Sequence, residues 1–68
     1  HPEKVRLSIV DVRGNTVTTL VNREIPAGFH HFGWRGVNEY GVPVASGIYF
    51  IQFETPTFLR SGKMLLLK

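Results

Sequence analysis

The chain has 68 residues, no cysteine and a formal net charge of +3 from eight Lys/Arg and five Asp/Glu. That length allows one domain at most, and without thiols there is no disulfide and no thiolate zinc site. No apolar run approaches the ~20 residues of a membrane-spanning helix. A hydrophobic content of 43% with 19% charged residues suits a folded β-rich domain. A domain of about 60 residues buries only about 60% of its unfolded surface, so a partner could help to hold it. The basic residues, Lys4, Arg6, Arg13, Arg23, Arg35, Arg60, Lys63 and Lys68, are scattered with no two adjacent. They read as a solvated surface rather than a nucleic-acid face. The start, His1-Pro2-Glu3-Lys4, has none of the features of a signal peptide, and the chain reads as the tail of a longer secreted protein.

In chain order, EKVRLSIVD places Val5, Leu7 and Ile9 on one face and Lys4, Arg6 and Ser8 on the other, the period-2 pattern of a strand. Arg13-Gly14-Asn15 is a turn, because Gly14 and Asn15 tolerate positive φ. TVTTLV, with Val17 and Leu20, is the β-branched return strand of a hairpin. Residues 22–28 read as a loop, with Pro26 opposing a helix and Gly28 closing it. FHHFGWR alternates again: His30, Phe32 and Trp34 share one side, His31, Gly33 and Arg35 the other. Residues 36–43 form a turn region around Gly36, Gly41 and Pro43. In the stretch that follows, Tyr49, Ile51 and Phe53 fall on one face and Ile48, Phe50 and Gln52 on the other, as in a central strand covered on both sides. A turn at Pro56 leads to a last strand, LRSGKMLLLK, interrupted near Ser61-Gly62. No stretch carries a 3.6-residue apolar period. Five short strands with Gly/Pro turns predict an all-β sandwich, but five is few for two sheets, and a missing strand leaves an open edge.

The residues that could carry chemistry lack the setting for it. Ser8, Ser46, Ser61, His30, His31 and Asp11 supply the residue types of a hydrolase triad, but no Gly-x-Ser-x-Gly elbow is present. Adjacent His30 and His31 point to opposite faces of a strand and so cannot share one ion there. Asp11, Asn38 and Glu39 are a poor supply for calcium, which takes six to eight oxygens. Gly33 and Gly36 precede no helix and form no phosphate loop. These readings predict no catalytic residues, no metal and no cofactor. Phe32, Trp34 and Tyr49 could line a sugar-binding surface, but a chain this small is expected to bury its largest side chains as core.

VRLSIVDVRGNTVTTLV, IPAGFHHFGW, GVPVASGIYFIQF and the terminal GKMLLLK, taken in that order, resemble the type A C-terminal sorting domain of proteins exported by the Bacteroidetes type IX secretion system. The pattern is shared with the immunoglobulin-like domain of the flagellar hook-capping protein. The matching positions are Asp11, Gly14, Val17, Leu20, Gly28, His30, Trp34, Gly41, Ser46, Gly47, Tyr49 and Lys63 to Lys68. Arg35 stands where the family usually has Asp, and Val10 where it often has Tyr, which weakens any acidic loop site. The family normally has an Asn-Pro-Phe-Asn-Pro segment and a further strand before the strand of Val5, Leu7 and Ile9, and this chain begins after them.

The resemblance implies a small immunoglobulin-like β-sandwich of antiparallel strands spanning residues 1–68 and lacking one N-terminal strand. The vacant edge would be open to a strand from another chain. It implies a core of Val5, Leu7, Ile9, Val17, Leu20, Phe32, Trp34, Tyr49, Ile51 and Phe53, and turns at Gly14, Gly28, Gly41 and Gly47, where Ser46-Gly47 turns the chain at a place with no room for a side chain. The implied function is that of a non-catalytic address: the tail directs a cargo protein through the periplasm and across the outer membrane to the cell surface or medium. Recognition is implied at Lys63, Met64, Leu65, Leu66, Leu67 and Lys68, an edge suited to β-augmentation by the secretion machinery or a neighbouring protein. The alternatives are a retained structural or interaction module of the same fold and, third, a carbohydrate-binding module.

Overall fold

A computed structural model describes residues 3–26 and 32–68. Four strands occur among them: β1 (Glu3–Val10), β2 (Thr16–Ile25), β3 (Gly47–Glu54) and β4 (Leu59–Leu66). They form one antiparallel sheet in the order β2-β1-β3-β4, and the described residues contain no helix. The architecture is all-β.

The alternation of β1 sets the two faces. Side chains directly opposite one another in an antiparallel pair share a face. Leu7 faces Val21 and Phe53, and Ile9 faces Ile51. Val5, Leu7, Val21 and Ile25 form the buried cluster, with Leu20, Ile51 and Phe53 packed against it. Ile9, at 0% exposure, is the most enclosed large side chain. Burying each such side chain contributes roughly 1.5–3 kcal/mol. β1 holds the core because it has a strand on either side, and because the β2–β3 connection must cross it to reach the far side. The Trp34–Tyr49 ring contact and the approach of Leu66 to Gly36 put the described part of that connection on the face of Tyr49 and Ile9.

On the opposite, open face, Ser8 and Val10 of β1 are buried between their cross-strand neighbours Gln52 and Thr19, and Phe50 and Thr16. Further out, Ile48 is 41% exposed, and Leu59 and Leu65 are more so. The reading of β3 as covered on both faces is therefore too strong: of its residues only Tyr49 is buried, and Phe50, Ile51, Gln52 and Phe53 are all partly exposed.

The hairpin turn forms as its residues dictate. Asp11 Oδ1 accepts hydrogen bonds from the N–H groups of Arg13 and Asn15 at 3.0 and 2.9 Å. The Gly14 N–H donates to Asp11 O at 3.0 Å, with Gly14 at φ 87°. At the β3–β4 turn, Thr55 Oγ1 accepts from the N–H groups of Thr57 and Phe58, and the Thr55 N–H donates to Phe58 O.

Several expectations need correction. Residues 22–25 belong to β2 and not to a loop, because Glu3–Arg6 supply ladder partners and Ile25 joins the core. Phe32–Arg35 are not a strand; alternating aromatics alone do not make one. Phe32, expected in the core, is 39% exposed, and Trp34 is half-buried. Gly28, Phe29, His30 and His31 lie outside the described residues. β4 runs through Ser61 and Gly62 without a break, since each keeps its partner, Gln52 and Ile51. Gly47 is not there for lack of room: a Cβ at that position would meet nothing within 4 Å, and φ of 155° is what favours glycine.

Candidate functional site

The sheet has two edges, and they differ. β2 carries two register irregularities, which leave Leu20 and Val17 without direct partners on β1. Bulges of this kind bend an edge strand and blunt it as a template. Val17 O also accepts a hydrogen bond from the Glu39 N–H at 3.3 Å, so the connecting segment occupies part of that edge. β4 pairs with β3 over eight consecutive positions, from Gly47↔Leu66 to Glu54↔Leu59, with no irregularity. Its other side has no strand among the described residues.

The six residues expected to carry recognition divide between the faces of β4. Met64, opposite Tyr49, and Leu66, opposite Gly47, point to the covered face and are half-buried. Lys63, opposite Phe50, and Leu65, opposite Ile48, point to the open face. Leu65 is 63% exposed and Leu67 is 77% exposed. The end of the chain is tied down. The Lys68 N–H donates to Ser46 Oγ at 3.1 Å, and Leu66 sits so close to Gly36 that a Cβ there would lie 3.3 Å from both its methyl carbons.

The segment receiving this end is itself braced. Trp34 Nε1–H donates to Val37 O at 2.8 Å, and the Tyr49 hydroxyl donates to Ala45 O at 2.7 Å. Asn38 Oδ1 accepts from the N–H groups of Tyr40 and Val42 at 2.9 and 3.0 Å. Val37 bridges Pro43. The oxygens considered for calcium thus serve backbone turns: Asn38 here, Asp11 in the hairpin. Among the described residues no group of three His, Asp or Glu could hold a metal.

Of the aromatics considered for a sugar surface, Tyr49 is buried and meets Trp34 edge-on, with centroids 5.1 Å apart and rings inclined by 69°. The pair does not form a flat stacking platform. A second feature lies on the open face at the opposite end of the sheet. It is an open groove of about 350 Å³ lined by Lys4, Arg6, Asn22, Glu54, Thr55 and Pro56. Arg6 and Glu54 approach to 3.9 Å across it, both half-exposed, and a pair so exposed contributes about 0–1 kcal/mol.

Neither site pairs a nucleophile with a base. What β4 offers is backbone: an edge strand in unbroken register with β3, whose end is held by Ser46 and Gly36. The resemblance singled out Lys63–Lys68 but gave no sign of the anchors Gly36 and Ser46, because contacts 22 residues or more apart leave no local pattern.

Residues 2–57 match the family model described as the FlgD Ig-like domain. No curated protein and no solved structure matches the chain. The matched span takes in β1 to β3 and stops short of β4, so the candidate edge lies beyond it.

Proposed function

This chain belongs to the FlgD Ig-like domain family, a family of non-catalytic structural domains, and from that premise we propose that it acts as a non-catalytic sorting domain. In this reading it directs an attached cargo protein through the periplasm and across a bacterial outer membrane, to the surface or the medium. The observation that carries the reading is the presentation of Lys63–Lys68. The segment is held at its end by Ser46 and Gly36, yet offers a regular edge and two exposed leucines to a reader. The ordered motifs shared with type IX sorting domains supply the address. No catalytic residue is assigned.

Deleting Lys63–Lys68 would be a poor test, because Met64 and Leu66 also pack on the fold. The informative variant is Leu65→Asp/Leu67→Asp, which changes exposed side chains and should alter stability by no more than about 0.5 kcal/mol per site. Fused behind a reporter in a bacterium with a type IX system, the wild-type domain should export the reporter. The variant should reduce export at least tenfold with an unchanged unfolding midpoint. Export unaffected by the double substitution, or no export by the wild-type domain, would sink the proposal. Intact-mass analysis of the mature cargo then distinguishes a tag that is removed from a module that stays. Peptides through Leu67-Lys68 on the mature protein would favour the retained structural module.

A further inference from the structure

We propose that the outer edge of β4 is a strand-addition site whose incoming segment carries, on one face, a carboxylate beside Lys63 and an apolar side chain two residues away beside Leu65. The inference rests on reading the domain as a recognition tag and gives that reading a partner of defined chemistry. Three observations carry it. The first is regularity: β4 keeps register through all eight of its pairs, whereas β2 is bulged twice and partly occupied at Val17. An added strand needs an unbroken row of outward N–H and C=O groups, and only β4 has one among the described strands.

The second is charge. From Leu59 to Lys68 the chain carries Arg60, Lys63 and Lys68 and no acidic residue. On the open face the row is Leu59, Ser61, Lys63, Leu65; on the covered face it is Arg60, Gly62, Met64, Leu66. A strand laid alongside would gain from a carboxylate beside Lys63 and an apolar side chain beside Leu65, since opposite charges and apolar pairs across strands each contribute roughly 0.2–1 kcal/mol. The same cations oppose a second copy. Two-fold pairing of β4 with itself would set like charges side by side, and edge lysines are a recognised means of preventing such self-association.

The third is Gly62. Its φ is not positive, and a Cβ there would make only ordinary contact with Ile51 Cγ2 at 3.5 Å. Neither backbone angle nor crowding within this sheet requires a glycine in mid-strand, where it weakens the strand. It leaves the covered face without a side chain between Arg60 and Met64. A large apolar side chain of the incoming strand would lie beside this position.

The test is selection of random 12-residue displayed peptides on the immobilised domain at low salt. Selected peptides should carry Asp or Glu two residues from a large apolar residue, and should shift the amide resonances of β4. Arg60→Glu/Lys63→Glu should weaken them at least tenfold and turn the selection toward basic peptides. Gly62→Ala, whose Cβ makes only ordinary contact with Ile51, should weaken them at least fivefold. No enrichment, shifts confined to β2 or the open face, indifference to charge reversal, or a concentration-dependent dimer in sedimentation would each overturn the proposal. The two readings fail separately. If the charge-reversed variant loses the peptides but still sorts its reporter, the acidic strand is not the sorting partner. If the wild-type domain captures acidic strands but exports nothing, the sorting reading falls alone.

Discussion

Gly36 and Gly41 make a controlled comparison. Both hold the left-handed region, at φ 74° and 77°. They differ in surroundings: a Cβ at Gly41 meets nothing within 4 Å, while one at Gly36 meets Leu66 Cδ1 and Cδ2 at 3.3 Å and Lys68 Cε at 3.5 Å. Gly41→Ala should therefore cost only the backbone term, about 1–2 kcal/mol. Gly36→Ala should cost the same plus the packing that Leu66 forfeits when it swings aside, about 0.8 kcal/mol for the equivalent of one buried methylene. The total stability expected for 68 residues is only about 3–10 kcal/mol, and for a domain this small 1 kcal/mol moves the midpoint by roughly 4–8 °C. Gly36→Ala should then melt roughly 3–6 °C below Gly41→Ala, read by far-UV circular dichroism and by the fluorescence of Trp34. Hydrogen exchange should quicken at the end of β4 in Gly36→Ala alone. Combining Gly36→Ala with Leu66→Ala should remove the excess, because the methyl carbons that collide are gone. Equal melting of the two glycine variants, or an excess that survives Leu66→Ala, would refute the claim that Leu66 on Gly36 holds the C-terminal end.

Three further predictions follow from the packing and hydrogen bonds. Ile9→Ala, at the most enclosed position, should cost about 2–5 kcal/mol in urea titration, much of the domain's stability. Tyr49→Phe removes the 2.7 Å hydrogen bond to Ala45 O and should lower stability by about 0.5–1.5 kcal/mol while leaving the ring contact with Trp34, so the emission maximum should not move. Asn38→Ala strips the acceptor from the Tyr40 and Val42 N–H groups. It should cost about 1–2 kcal/mol in thermal unfolding, as loss of a comparable side-chain cap does, with faster exchange at those two amides.

Strand-level order was legible where polarity alternates against a single covered face. Val5, Leu7 and Ile9 announce β1, and Asp11 and Gly14 announce the turn, because a side-chain acceptor and a positive φ are local requirements. The same reasoning failed at Asn22–Ile25, where three polar residues look like a loop until β1 supplies their ladder partners. It failed also at Phe32–Arg35, where alternating aromatics imitate a strand that the fold does not form. For the candidate site, the family resemblance pointed to Lys63–Lys68, and the terminal apolar run ending in lysine agreed with it, but neither could say which residues face out.

By itself the sequence determined the all-β class, the hairpin turn and the apolar face of β1, all consequences of periods and backbone angles confined to a few residues. Tertiary structure decided the rest. It placed β1 between β2 and β3, sent the connection over Tyr49, left Ile48 and Leu65 uncovered, and made β4 the edge in unbroken register and β2 the bulged one. The physical reason is range. An edge is defined by the strand that is absent beside it, and an anchor such as Leu66 on Gly36 joins residues 30 positions apart. No local pattern encodes either.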